Sequence, residues 1–127
     1  MTQTNTTNPP TFIRFGDPIT DRIEKDVTND IVEGTPHQGV WLYSNDTQTG
    51  SRFGEWECHA GKFRAKMDGL TEFCHILEGE AHITNLADGT VHTVRAGDSF
   101  VMEEGFDTEW HVPKYIKKCF AISDLVK

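Results

Sequence analysis

Glu72-Phe73-Cys74-His75-Ile76-Leu77-Glu78-Gly79 sets a carboxylate, a thiol and an imidazole inside an apolar run that stops at glycine. Such a run reads as a buried strand that carries polar groups up to a tight turn. Buried polar groups need a partner or a purpose. A second stretch, Ala96-Gly97-Asp98-Ser99-Phe100-Val101-Met102-Glu103-Glu104-Gly105, opens on Gly97-Asp98 and closes on Glu104-Gly105, the punctuation of a strand between two turns. Chemistry is expected on these two strands.

The pattern extends in both directions. From Gly39 onward the chain is short apolar runs separated by turn residues: Val40 to Tyr43, Phe53 to His59, and Lys62 to Met67 after a split at Ala60-Gly61. Asp68-Gly69 leads into the Glu72 strand, Glu78-Gly79 turns into Ala81 to Asn85, and Ala87-Asp88-Gly89 turns into Thr90 to Arg95. With Ser99 to Met102, Glu109 to Val112 and Tyr115 to Ile122, this makes about nine strands, an all-β barrel or sandwich. Before Gly39 the reading changes. Met1 to Pro10 is a polar tail, and Thr11 to Gly16, with Phe12, Ile13 and Phe15, suits an edge strand or an arm laid on a partner subunit. Ile19, Ile23, Val27 and Ile31 recur at four-residue spacing, which predicts a short helix or an irregular lead-in over Pro18 to Glu33. The chain thus divides into a lead-in, 1–38, and a single barrel, 39–127.

At 127 residues this is enough for one core and not two. The formal charge of −8, from 12 Lys and Arg against 20 Asp and Glu, repels phosphate backbones, so nucleic acid is not expected as a partner. No apolar run approaches the ~18 residues of a membrane span, and the amino terminus lacks the basic and apolar regions of a signal peptide. A cytoplasmic protein is expected. Cys58, Cys74 and Cys119 are odd in number and sit in apolar contexts, which fits reduced thiols rather than disulfides, and no Cys-X-X-Cys supports zinc.

The succession of Glu72 and Gly79, Ile83-Thr84, Asp88-Gly89 and Ala96-Gly97-Asp98 resembles the two motifs of a cupin. Gly54-Glu55-Trp56-Glu57-Cys58 and Gly61-Lys62-Phe63 upstream, with Trp110 and Lys117-Lys118 downstream, are similar to the small single-domain cupins related to ethanolamine-utilisation cupins and ureidoglycine aminohydrolase. The likeness spans Trp41 to Ile122 and implies a double-stranded β-helix, the jelly-roll barrel. It also implies a ligand set of His-X-His and Glu from the first motif and His from the second, suited to a divalent first-row metal. Here only Glu72 is present. The His-X-His positions fall on Lys66 and Asp68, or on Ala65 and Met67, and the second-motif histidine falls on Thr108. No cofactor and no metal of the usual kind is therefore expected.

By strand alternation Glu72, Cys74 and Ile76 share one face and Phe73, His75 and Leu77 the other. The family places the matching glutamate in the cavity, so the expected ligand-binding set is Glu72 and Cys74 with Trp56, Thr108, Trp110 and Phe120. Each has a plainer reading: Glu72 as a buried carboxylate paired with Lys or Arg, Cys74 as a small core residue, and the aromatics as barrel core. Lys118 matches a basic position common in the family, with a salt bridge as its plain account. The expected function is binding of a small polar metabolite. The alternative is an aminohydrolase- or sugar-isomerase-like enzyme with Glu72 as the catalytic acid/base and a non-standard metal set drawn from His59, His75, His82, His92 and His111. A homodimer is expected, since Thr11 to Gly16 suits strand addition across subunits.

Overall fold

A computed structural model describes residues 10–17 and 20–125. Residues 1–9 of the predicted tail, and Ile19 of the apolar spacing, lie outside the described residues. The architecture is the all-β jelly roll implied by the resemblance. β1 (Ile23–Lys25), β2 (Ile31–Gly34), β3 (Gln38–Asp46), β4 (Ser51–Lys66), β5 (Leu70–Asn85), β6 (Val91–Arg95), β7 (Ser99–Met102) and β8 (Asp107–Asp124) follow in chain order. They are hydrogen-bonded in the order β1-β3-β4-β8-β5-β6, with β2 added to β4 and β7 to β5, and every pairing is antiparallel.

Eight strands stand where nine were expected: six of the predicted runs join into three long strands, which leaves six, and the lead-in adds two more. Ala60-Gly61, Glu78-Gly79 and Pro113-Lys114 bend β4, β5 and β8 without ending them, and the ladders slip in register at His59/Gly61, Ile76/Glu78 and Gly79/His82. Such bulges curve a strand while pairing continues on both sides. Gly79 shows why the residue matters: its φ is +85°, and a Cβ there would overlap the Tyr115 carbonyl of β8.

The lead-in is not an α-helix. Its described part forms two short edge strands joined by a single 3-10 turn, Thr28–Asp30. Ile, Val and Thr are stiff at χ1 and favour strands, and the edges of β3 and β4 offer unpaired backbone groups. Of the apolar positions spaced four apart, Val27 is buried while Ile23 and Ile31 are exposed. Within Thr11 to Gly16, Arg14 and Asp17 form an isolated bridge and Phe15 stacks on Tyr43 at 4.6 Å between ring centroids.

The two quoted stretches meet as neighbours. Glu72 to His75 on β5 pair with Ser99 to Met102 on β7. The turn between β6 and β7 is fixed onto β5 by Ile76 N donating to the Asp98 carbonyl at 2.9 Å and Gly97 N donating to the Ile76 carbonyl at 2.8 Å. Inside the barrel, Trp56, Cys58, Phe63, Ile76, Ile83, Trp110, Val112 and Ile116 form the centre of one apolar core.

Candidate functional site

Three long strands set the site. On β5 the alternation runs Glu72 buried, Phe73 exposed, Cys74 buried, Ile76 buried and Leu77 exposed, so the carboxylate points to the interior. On β8, Lys118 and Phe120 face the same side, and Lys118 is the cross-strand partner of Trp56 on β4. The three strands wall a cavity of about 280 Å³, to which Glu72, Trp56, Phe63, Trp110, Lys118 and Phe120 contribute.

Its centre is a buried ion pair. Lys118 Nζ lies 2.8 Å from Glu72 Oε2, with side-chain exposures of 7% and 9%. The ammonium also sits over two indoles, 4.4 Å from the Trp56 ring and 5.0 Å from the Trp110 ring, where the negative faces of the rings stabilise it. Trp56 is held in turn by Nε1 donating to Gln38 Oε1 at 3.0 Å, and its ring meets Trp110 edge-on at 5.5 Å. Burial pushes the Glu72 carboxyl up, but the Lys118 charge and hydrogen bond, with smaller help from Cys74 and Lys25, outweigh it and hold the group below the usual range. Burial pulls Lys118 down, and the Glu72 charge more than restores it. The pair stays charged.

The predicted site residues do not all reach the cavity. Glu72, Trp56, Trp110 and Phe120 line it. Cys74 is fully buried beside it, its thiol donating to Glu72 Oε2 at 3.3 Å, and burial pushes that thiol up to about 12. Thr108 is fully buried, with its hydroxyl donating to the Ala65 carbonyl at 2.7 Å, so it offers the cavity nothing. Three polar contributors were missed by sequence reasoning: Lys25, Gln38 and Arg52. Period-two alternation with Trp56 places Arg52 inward, and alternation with Val40 and Leu42 places Gln38 inward. Lys25 carried no such signal, because its strand is three residues long and was read as part of a helix.

The residues do not fit a divalent metal. Glu72 already faces an ammonium, Ala65 and Met67 give the cavity apolar surface, and no histidine lines it. The histidines are engaged elsewhere: His75 with the Ser99 hydroxyl at 2.7 Å, His82 with the Thr93 hydroxyl at 2.9 Å and with Glu80 at 3.0 Å. His111 lies beside His82, and His59 beside Tyr115. Among the described residues no group of three or more His, Cys, Asp or Glu side chains is placed to hold an ion. A second cleft, about 360 Å³ and bordered by β6 and β7, is larger, but its ionisable residues, His92 and Asp98, are both exposed. Of these two, only the Glu72 cavity holds buried charged groups.

This is the geometry of a small cupin barrel. The chain belongs to the EutQ-like cupin domain family, which matches residues 46–120, more than half of its length. No curated protein is detectably similar in sequence. Among solved structures it is similar to a putative ethanolamine utilization protein Q from Salmonella typhimurium, at 18% identity and TM-score 0.61 over 71% of this chain and 72% of that one. A predicted oxalate decarboxylase from Thermotoga maritima superposes at 16% identity and TM-score 0.66, over 91% of this chain and 100% of that one. Ectoine synthase from P. lautus does so at 13% identity and TM-score 0.62, over 83% and 80%. At such identities the likeness concerns the fold.

Proposed function

We propose that this cupin binds a small polar metabolite in the Glu72 cavity and does so without the usual cupin metal. The observation that carries this reading is a cavity of about 280 Å³ that combines aromatic walls with a buried ion pair. Ligand pockets are largely apolar with a few convergent polar groups, and most span about 300–1,000 Å³. A cavity of about 280 Å³, just below that range, takes a small molecule.

The second reading is an enzyme, of aminohydrolase or sugar-isomerase type, with Glu72 as acid/base. Its support is the Cys74 thiol, a second proton-bearing group 3.3 Å from Glu72. Against it stand a thiol pushed up to about 12 and a carboxylate that holds no proton to donate and is weakened as a base by its ammonium partner.

A panel of small polar metabolites, followed by thermal unfolding, tests the binding reading. A ligand at a hundredfold excess over its Kd stabilises the folded chain by about 2.7 kcal/mol. The stabilisation is expected in the wild type, is expected to persist in Glu72→Gln, and is expected to vanish in Ala65→Leu, which fills the cavity. If no member of the panel raises the melting temperature, or if Ala65→Leu responds as the wild type does, the reading is wrong. Turnover abolished by Glu72→Gln would instead establish the enzyme.

A further inference from the structure

Among the described residues, three buried side-chain nitrogens have no hydrogen-bond partner: Gln38 Nε2, Arg52 Nε and Trp110 Nε1. All three residues line the Glu72 cavity, and all three atoms are donors. Gln38 is itself 1% exposed, and its orientation is fixed because its Oε1 accepts from Trp56 Nε1. The Cys58 thiol is near its amide nitrogen, but sulfur is a weak acceptor. Folded proteins leave few such atoms unpaired, and each needs an explanation. Three donors gathered around one cavity ask for a ligand made of acceptors.

The charges ask for the same thing. Lys25, Arg52 and Lys118 line the cavity, against a single carboxylate, Glu72. Lys118 is paired with Glu72 at 2.8 Å, and Arg52 is paired from outside the lining by Asp124 at 2.6 Å. Lys25 makes no ion pair among the described residues, although it is the cross-strand partner of Gln38 and so stands beside the unpartnered amide. It is exposed by area, yet its ammonium lies among enough protein atoms that desolvation, and then the Lys118 charge, lower its pKa. Asp30 acts on Lys25 only through space and lies outside the lining, so the cavity itself holds three cations against one carboxylate, inside a chain whose net charge is −8.

Resting on the reading of the barrel as a binding cavity, we infer that its ligand is a small organic monoanion, a carboxylate on a short apolar body. The carboxylate supplies about four acceptor sites for the Lys25 ammonium and the unpartnered nitrogens of Arg52, Gln38 and Trp110. The body lies against Phe63, Phe120 and Met102. Phosphate fits less well, since it brings excess charge and leaves the apolar wall uncovered.

Sodium butyrate and sodium benzoate, each against its neutral amide, separate the two parts of this inference by calorimetric titration at an ionic strength fixed with sodium chloride. The acids are expected to bind at least about tenfold more tightly than the amides, as hydrogen bonds to charged groups require. Lys25→Met is expected to weaken the acids about tenfold and the amides by clearly less, and to be rescued by Lys25→Arg. Amides that bind as tightly as acids, or a Lys25→Met variant that retains full affinity, would overturn the anion assignment while the binding reading stands. Inorganic phosphate binding where the carboxylates do not would overturn the carboxylate. Silence from both acids while neutral members of the metabolite panel bind would have the same result, and silence from every probe would remove both readings together.

Discussion

The Glu72–Lys118 pair is a costly way to fill a barrel. Two charges taken out of water are repaid only by close geometry and further contacts, here the 2.8 Å separation and the two indole faces. Breaking such a pair leaves one buried charge alone. Lys118→Met is expected to destabilise the protein by about 3–5 kcal/mol in chemical denaturation, and the double variant Glu72→Leu/Lys118→Met to recover most of that loss. The pair also predicts a pH dependence. Because the folded chain holds the Glu72 carboxyl below its ordinary range, the unfolded chain takes up the proton first on acidification. The contribution is complete above the unfolded value of about 4.3 and is lost as pH falls through the folded value. Stability of the wild type is therefore expected to fall more steeply below about pH 5 than that of the double variant. That Glu72 needs a cation was legible in its apolar run. That the cation is Lys118, forty-six positions away on another strand, depends on which strands pair, and no local pattern encodes that.

At the level of elements, the glycines were read as stops and three of them act as bends or turns by different means. Gly79 sits inside β5 against the backbone of β8, whereas Gly89 and Gly105 also have positive φ but meet nothing within 4 Å. Gly89→Ala and Gly105→Ala are expected to cost about 1–2 kcal/mol each, the conformational penalty alone. Gly79→Ala is expected to cost clearly more, since strain and a backbone clash add, and equal midpoints in a denaturant titration of the three variants would refute this. The period-two alternation of β4, β5 and β8 was legible on either side of each bend. Continuity across the bend was not, because Gly and Pro carry the same local signature whether a neighbouring strand keeps pairing or lets go. The lead-in failed for the opposite reason. Its four-residue spacing was real, but β-branched side chains and open sheet edges favoured strands, and Lys25 and Gln38 were lost from the site with it.

For the whole molecule, an all-β barrel was legible in the runs and turns, and its jelly-roll form in the resemblance of its motifs to a cupin's; the order of the strands was not, since pairing joins distant parts of the chain. The outside carries its own pattern. Phe53, Ala121, Phe73 and Val101 are register partners across β4, β8, β5 and β7, so they form one row, and Phe53, Phe73 and Val101 are 40%, 43% and 56% exposed. The rows beside it are polar, with Glu55, Cys119, His75 and Ser99 on one side. We propose that a second copy of the chain covers this row. Light scattering at micromolar concentration is expected to give about twice 14.3 kDa, and Phe73→Glu/Val101→Glu to halve it; a wild-type mass of 14.3 kDa would end the proposal.

The position of β8 has a consequence for synthesis. Asp107–Asp124 follows every other described strand in chain order, yet it lies between β4 and β5 and supplies the ladder partners of both along most of their length. While the chain is still on the ribosome, β4 can pair with β3 and β5 with β6 and β7, but the edge that each turns toward β8 stays open. Nothing resembling the finished barrel can close until residue 124 has cleared the exit tunnel. Until then the two long strands must be kept from their neighbours, because the central partner that they share has not arrived.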